Sequence, residues 1–235
     1  MFIEKRDRES RRFKMDIALV IPAYNEEETI SEVLETAKQA NLFSEIVVVS
    51  DGSTDNTVQK VLEAGVQAVA LPDNQGKGAA MKIGLENTSS DLIVFLDADL
   101  VNLDHHHLEK LVKPVIKGTA DMSCGIFKSG RDVTDFGHKI VPWLTGQRAV
   151  KREVIENCAD LTDSKYGAEL SITREAIQQE LRVKKVSLKG LTHKTKEEKI
   201  GPIKGFFARV RMCWQVFNYF RKHNLSYNSL NTMME

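Results

Sequence analysis

Apolar and polar residues fall in alternating blocks along the first hundred residues, and these blocks predict strands and helices in turn. Apolar runs at 16–22, 46–49 and 92–96 are typical of strands buried on both faces, and a shorter strand is expected at 66–71. Between the runs, apolar residues recur at helical spacing. This order predicts an α/β fold with a Rossmann-like, mostly parallel sheet and helices on both faces.

Proline, glycine and helix-capping residues refine the predicted element boundaries. Pro22 is expected to end the first strand, and Asn25 is a good candidate for the N-cap of the following helix. Gly65 is expected to stop the second helix.

The half of the chain after residue 100 is less regular. Its first predicted elements are a helix after Asp104, a strand at 120–129 and a helix opened by 144–149 and ending near Cys158. A helix at 166–181, a half-exposed strand at 183–188 and a polar loop holding His193 are expected next. A last helix begins near Glu197 or Pro202 and carries an aromatic stripe. We therefore expect a charged arm at 1–14, one domain at 15–222 and a tail at 223–235.

Composition narrows the functional classes. The 33 basic and 33 acidic residues cancel, so bulk charge gives no argument for nucleic-acid binding. No apolar run approaches the roughly 18–20 residues that span a bilayer, and the charged first residues do not form a secretory leader. Three widely spaced cysteines are typical of a reduced, cytoplasmic protein.

Candidate chemistry begins at the end of the 92–96 strand, where Asp97 and Asp99 follow. If the chain stays extended, both carboxylates point to one spot at the carboxyl end of the sheet, where open α/β sheets bind ligands. Two neighbouring anions repel unless a cation neutralises them, and carboxylates suit Mg²⁺ or Mn²⁺. The alternative is an acidic turn that caps the next helix.

Other strand ends carry polar residues that the topology brings to the same edge. These are Tyr24 and Glu26 after the first strand, Asp51 after the second, and Lys77 in a glycine-rich loop. That loop, 73–78, lets the backbone approach a ligand ahead of a helix N-terminus, which favours anions. It matches neither a Walker loop nor a dinucleotide fingerprint.

Four motifs in order, Val20-Ile21-Pro22-Ala23-Tyr24-Asn25-Glu26, Val49-Ser50-Asp51-Gly52-Ser53-Thr54-Asp55, Asn74-Gln75-Gly76-Lys77-Gly78 and Asp97-Ala98-Asp99, together resemble family 2 glycosyltransferases with the GT-A fold. Within that family the segments 144–152 and 166–169, with the late His193, are similar to the glucosyl-3-phosphoglycerate synthases. The Thr-Gly-x-Arg portion also resembles polyprenyl-phosphate sugar synthases. The resemblance implies a nucleotide-sugar-binding half at 15–100 and an acceptor half at 101–222.

The resemblance also implies residue roles. The donor is expected to contact Pro22, Ala23, Tyr24, Glu26, Asp51, Lys77 and Asp97. The implied metal ligands are Asp99, Asp97 and His193. The acceptor is expected to contact Thr145, Gly146, Arg148 and Arg131. The implied catalytic residues are Asp99, as the ligand of Mg²⁺ or Mn²⁺, and Glu169 or Asp163 as a base for an acceptor hydroxyl.

Ordinary structural roles stay open for several of these residues. Asp51 could cap a helix, Lys77 and His193 could be solvated, and Glu169 could be a surface charge. His105 to His107 are expected to be a solvated helical turn, since consecutive helical residues point in different directions. A phosphate acceptor would need cations, for which the candidates are Arg131, Arg148, Lys151 and Arg152.

The predicted function is therefore metal-dependent transfer of a hexose from a UDP- or GDP-sugar to a small soluble acceptor such as a phosphoglycerate. One alternative is a polyprenyl-phosphate glycosyltransferase at the membrane surface, for which basic residues beside the C-terminal aromatic stripe permit peripheral contact. Another is a catalytically silent nucleotide-sugar-binding module. The same apolar stripe could form a homodimer contact.

Overall fold

A computed structural model describes residues 15–128, 145–156, 158, 161, 167–193 and 221. Within them lie nine strands: β1 Ile17–Ala23, β2 Glu45–Ser50, β3 Gln67–Ala70, β4 Leu92–Phe95, β5 Leu100–Val101, β6 Met122–Lys128, β7 Arg148–Lys151, β8 Val183–Lys189 and β9 Thr192–His193. The helices are α1 Ile30–Gln39, α2 Thr57–Glu63, α3 Lys77–Glu86, α4 His105–Ile116, α5 Arg152–Glu156 and α6 Gly167–Gln178.

Seven strands form one mixed, mostly parallel sheet in the order β3-β2-β1-β4-β7-β6-β8. Strands β1 to β4 are parallel, β7 runs antiparallel to both of its neighbours, and β6 pairs with β8 in parallel. The α/β class with a mostly parallel sheet flanked by helices, predicted from the sequence, is confirmed.

The core lies on both faces of this sheet. Along β1, Leu19 and Ile21 belong to a cluster on one face, whereas Ala18 and Val20 belong to a cluster on the other. Successive strand residues point to opposite faces, so a strand covered on both sides has to be apolar throughout. Helices α1 and α4 contribute to the first cluster, and α3 and α6 contribute to the second.

The first strand continues through Pro22 to Ala23 and does not end at the proline as predicted. The carbonyl of Ala23 accepts from Asp51 N on the β2 side, so the nitrogen of Pro22 faces the β4 side. There the pairing of β1 with β4 ends at Val20 and Phe95, and the proline removes no ladder hydrogen bond.

The predicted helix opened by residues 144–149 is wrong. Residues 148–151 form β7, and only the short helix α5 follows. Ala149 pairs with Val94 on one side and with Ser123 on the other, so β7 is an interior strand. Burial between two strands outweighs the weak local preference of this short segment for a helix.

Asp121, just before β6, binds Lys151 at the end of β7 and Arg182 just before β8. Its carboxylate accepts from Arg182 Nε at 3.0 Å and Nη2 at 3.0 Å, and from Lys151 Nζ at 2.8 Å. The hydrogen bonds from Arg182, with the Lys151 charge, hold the pKa of Asp121 well below its usual range. Burial of the carboxylate opposes this shift and is outweighed.

We expect Asp121→Asn to lower the free energy of unfolding by about 1–2 kcal/mol at pH 7. A depressed folded-state pKa stabilises the protein above the unfolded value of about 3.9, and this contribution is lost as pH falls through the folded pKa. The difference from wild type should thus stay constant between pH 7 and pH 5 and shrink below about pH 4. Urea unfolding across this pH range measures it. The control is Asp91→Asn, at an exposed position. If the stability difference between Asp121→Asn and wild type did not change with pH, the lowered pKa of Asp121 would be contradicted.

Candidate active site at the carboxyl edge of the sheet

The loops after β1 and β2 are fastened to each other at the carboxyl edge of the sheet. Asn25 Oδ1 accepts from Thr54 N at 2.8 Å, and Asn25 N donates to Ser53 Oγ at 3.1 Å. Asn25 has a φ of 54°, and α1 begins only at Ile30. Asn25 is therefore not the predicted helix N-cap, because its side chain and left-handed backbone serve the contact between the two loops.

The end of β1 presents one aromatic side chain to solvent. The Tyr24 side chain is 48% exposed, whereas Pro22 and Ala23 are buried in the strand. Next to them, Glu26 N donates to Thr57 Oγ1 at 2.9 Å, which ties this segment to the start of α2. Of the four residues predicted here to contact a donor, Tyr24 is thus the one that offers an open face.

Asp51 organises the loop that leads to Lys77. It is only 4% exposed, its Oδ1 accepts from Gln75 N at 2.7 Å, and its Oδ2 accepts from Gly76 N at 2.8 Å. Gly76 has a φ of 96°, which a side chain would disfavour. Asp51 does not cap α2, where Asp55 accepts from Thr57 N. Both oxygens of Asp51 accept from backbone amides, so the predicted contact with the donor would use their remaining lone pairs.

Lys77 lies between two carboxylates at the start of α3. Its Nζ is 2.6 Å from Asp97 Oδ1 and 2.6 Å from Glu169 Oε1. The side chains of Lys77 and Asp97 are each 29% exposed, and that of Glu169 is 8% exposed. Glu169 is therefore not a surface charge but a buried partner of Lys77, held by the first turn of α6.

The pKa values of this cluster follow from burial opposed by charge. Burial alone would lower the pKa of Lys77, but the charges of Asp97 and Glu169 outweigh it and raise that pKa above its ordinary value. Burial alone would raise the pKa of Asp97, but Lys77, Gln147 and the charge of His193 hold it below its ordinary value. Asp97 is therefore ionised at neutral pH.

The second oxygen of Asp97 is held by a residue that sequence reasoning missed. Gln147 Nε2 donates to Asp97 Oδ2 at 2.7 Å. Gly146 lies against the same carboxylate, since a Cβ placed on it would stand 2.4 Å from Asp97 Oδ1. Gln147 occupies the variable position of the Thr-Gly-x-Arg segment, and its buried polar side chain at the start of β7 could have been noticed only with β7 correctly assigned.

The predicted acceptor-binding role of Arg148 is not supported. Arg148 is 0% exposed, and it donates from Nε to Thr145 O at 2.9 Å and from Nη1 to Thr173 Oγ1 at 3.0 Å. Thr145 is also buried, and its hydroxyl donates to Gly125 O at 2.7 Å. Arg148 and Thr145 therefore support the site through internal hydrogen bonds.

Lys151 and Arg152 lie at the other end of the sheet, which removes them as cations for an acceptor phosphate at this edge. Because β7 is antiparallel to β4, Lys151 pairs with Leu92 at the start of β4. Lys151 then binds Asp121, and Arg152 donates to Ser90 O and Leu85 O.

Asp99 directly precedes a small second sheet, formed by β5 and β9, and His193 lies within it. Asp99 lies in a turn after β4, so the chain is not extended from Asp97 to Asp99 as predicted. Strand β5 pairs antiparallel with β9, and this sets His193 opposite Leu100, the residue after Asp99. The ring of His193 lies 5.6 Å from that of Phe127. His193 is therefore part of a strand and not of the loop predicted for it.

The predicted metal ligands are near one another but are not assembled. In the part of the chain that the structure describes, the ligand atoms of Asp104, His105 and His106 lie within 4.8 Å of one another, but Asp97, Asp99 and His193 do not form such a group. His107 is buried, with its ring bonded to Asp104 N and Lys189 O, so the expectation of a fully solvated turn holds only for His105 and His106.

The residues at the edge nevertheless fit a hard divalent cation. Asp97 is ionised, and Asp99 and His193 add a carboxylate and an imidazole close to it. Carboxylates are the ligands that Mg²⁺ prefers, and Mn²⁺ accepts imidazole as well.

Several predictions lie outside the described residues. They concern the candidate base Asp163, the acceptor residue Arg131, the N-terminal arm, and the C-terminal aromatic stripe with its membrane and dimer contacts. Among the residues that are described, no helix is both long enough and apolar enough to cross a bilayer.

The fold and the charged cluster define a class of protein, namely α/β proteins that bind ligands where parallel strands end. Within that class, the chain belongs to glycosyl transferase family 2, whose family model matches residues 18–167. The family and the glycosyltransferase class that the four motifs predicted are confirmed.

Individual relatives are similar over part of their length. The chain is 34% identical over 119 residues to glucosyl-3-phosphoglycerate synthase of Mycolicibacterium smegmatis, which covers 47% of this chain and 39% of the relative. It is 38% identical over 96 residues to undecaprenyl-phosphate 4-deoxy-4-formamido-L-arabinose transferase of Proteus mirabilis, covering 37% of this chain and 29% of the relative. In both cases the match spans well under half of the relative.

A solved structure supports the GT-A fold. Glucosyl-3-phosphoglycerate synthase of Mycobacterium tuberculosis, in complex with Mn²⁺, UDP-glucose and phosphoglyceric acid, superposes with a TM-score of 0.64 at 26% identity. The match covers 77% of this chain and 72% of that one.

Removal of the Lys77 ammonium, which Asp97 and Glu169 share, should destabilise the fold. We expect Lys77→Met to lower the free energy of unfolding by about 2–4 kcal/mol, because it leaves the buried Glu169 and the half-buried Asp97 without their partner. Denaturant unfolding at pH 7 measures this loss.

Lys82→Met is the matched control, since Lys82 lies in the same helix and its pair with Glu86 is exposed. It should change stability by less than about 0.5 kcal/mol. Equal effects of the two substitutions would mean that Lys77 does not hold the acids together.

Proposed function

We propose that the protein is a metal-dependent glycosyltransferase that moves a hexose from a UDP- or GDP-sugar to a small soluble acceptor such as a phosphoglycerate. The observation that carries the proposal is the contact of Lys77 with Asp97 and Glu169 at the edge lined by the four family motifs. The similarity to the Mycobacterium tuberculosis enzyme supports it, because that structure contains Mn²⁺, UDP-glucose and phosphoglyceric acid.

The donor would lie across the ends of β1 and β2 and the start of α3. Tyr24 offers its exposed ring to the nucleoside, with the backbone of Pro22 and Ala23 beneath it. Asp51 shapes the loop that carries Lys77 to the start of α3, where helix amides favour a diphosphate. Lys77 would donate to this diphosphate.

Asp99, with Asp97 and His193, would hold Mg²⁺ or Mn²⁺. When bound, the cation supplies a positive charge that offsets the charge left on the diphosphate as the glycosidic bond breaks. Asp97 needs no proton transfer for this role, since its pKa is already below its ordinary value.

The acceptor would approach from the side of Gly146. A hydroxyl acceptor needs a base if the reaction inverts configuration, and Glu169 and Asp163 are the carboxylates proposed for it. A phosphate on the acceptor, with a second pKa of about 6, needs a cation instead. Because Arg148, Lys151 and Arg152 make internal contacts, this proposal now rests on Arg131.

A polyprenyl phosphate is the second candidate acceptor. The observation in its favour is the 38% identity to the Proteus mirabilis undecaprenyl-phosphate transferase. The two proposals share the donor site and differ only in the acceptor, so one assay with two acceptors separates them.

We expect UDP or GDP to bind in a Mn²⁺-dependent manner when a panel of UDP, GDP, ADP and dTDP is titrated calorimetrically. Asp99→Asn should remove the Mn²⁺-dependent part of the affinity, at least about ten-fold, because it removes a charged ligand. The exposed Asp91→Asn variant should bind like wild type.

Turnover distinguishes an enzyme from a silent binding module. Wild type should release nucleotide from the matching sugar donor when 3-phosphoglycerate is present, and product mass identifies the transferred hexose. Turnover only with undecaprenyl phosphate would favour the second candidate. Binding without turnover on any acceptor would favour the silent module, and full activity of Asp99→Asn would overturn the metal-dependent mechanism.

A further inference from the structure

The Asp97 carboxylate is held from three directions. Lys77 Nζ bonds its Oδ1 at 2.6 Å, Gln147 Nε2 bonds its Oδ2 at 2.7 Å, and Gly146 packs against both oxygens. Lys77 is partly exposed and is expected to contact the donor. Gln147 is only 1% exposed, so it can affect a ligand only through Asp97.

The amide of Gln147 has only one favourable orientation. Its Nε2 faces the ionised carboxylate of Asp97. Its Oε1 lies 2.8 Å from Thr145 Oγ1, which shares its single proton between this oxygen and Gly125 O. A rotation that exchanged the two ends would set a carbonyl oxygen against a carboxylate oxygen, which is repulsive. Asp97 thus fixes the orientation of the amide, which leaves its Oε1 beside the Thr145 hydroxyl.

These bonds belong to a closed circuit that joins both carboxylates. Arg148 bonds Thr145 O and Thr173 Oγ1, and Thr173 Oγ1 donates to Glu169 O at 2.7 Å. Glu169 returns through Lys77 to Asp97. The Thr-Gly-x-Arg segment therefore connects the N-terminal part of α6 to the end of β4.

We propose that Gln147 is a positioning residue that orients the Asp97 carboxylate toward the metal and nucleotide, an inference that rests on the proposed function. A neutral donor is needed at this position. Methionine has a similar shape but cannot donate, and glutamate of the same shape would present oxygen to Asp97. The bond is to a charged group in a low-dielectric setting, where a lost partner has a large effect.

The first experiment measures Mn²⁺ affinity by the electron paramagnetic resonance signal of free Mn²⁺, with UDP at saturation. Gln147→Met and Gln147→Glu should each raise the dissociation constant of Mn²⁺ at least about ten-fold, with Glu the more harmful of the two. Gln59→Met is the matched control, since Gln59 donates to Glu63 at 2.9 Å on the surface. It should bind Mn²⁺ like wild type.

Folding is checked by thermal unfolding of each variant. If Gln147→Met does not fold, Thr145→Val tests the same point, because it removes the hydroxyl that lies beside the amide oxygen of Gln147. Folded variants at position 147 with unchanged Mn²⁺ affinity would overturn the inference, and wild-type binding of UDP and Mn²⁺ in the same series would leave the proposed function standing.

A second readout does not need a nucleotide. In the ¹⁵N-correlated spectrum of the free protein, the Gln147 side-chain amide is identified by its loss in Gln147→Glu. One of its protons should lie downfield and should move upfield in Asp97→Ala. An unshifted proton would overturn the inference. A shifted proton, in a protein that binds no nucleotide, would support the Gln147–Asp97 bond and reject the proposed function.

Discussion

The site depends on one ammonium group held between two carboxylates. Asp97 follows β4 and Glu169 lies in α6, 72 residues later, and Lys77 meets both at 2.6 Å. Without this common partner, the half-buried Asp97 and the buried Glu169 would repel each other, and no cation would offset the hydration that each carboxylate loses on folding. Lys77, Asp97 and Glu169 together carry a net negative charge, which favours a further cation.

The direction of β7 explains which residues reach this edge. The parallel strands β1, β2 and β4 end there, whereas the antiparallel β7 begins there. Residues just before and at the start of β7 are therefore close to Asp97, and Gly146 and Gln147 contact it. Residues at the end of β7 are carried to the opposite edge, where Lys151 binds Asp121. A segment read as one acceptor motif is thus divided between two ends of the sheet.

The sequence was informative where burial is uniform. The apolar runs of β1, β2 and β4 are continuous, so the parallel sheet and the converging strand ends could be predicted. The four-residue β7 could not, because its strand state comes from pairing on both sides and not from its own pattern. The same holds for Asn25, whose backbone is set by a contact with a loop 28 residues away. Gln147 was missed because the role of a buried amide depends on a partner that only the fold supplies.

The engagement of Asp97 bears on how a metal would be accommodated. Its Oδ1 accepts from Lys77 and its Oδ2 from Gln147, so a cation has to use the remaining lone pairs or displace the ammonium. Gln147 is buried and held by Thr145, whereas Lys77 is partly exposed and has Glu169 as a second partner. Displacement therefore costs least on the Lys77 side, where the ammonium keeps one carboxylate and can turn toward an incoming diphosphate. On this argument the asymmetry of the two bonds decides which oxygen of Asp97 becomes available.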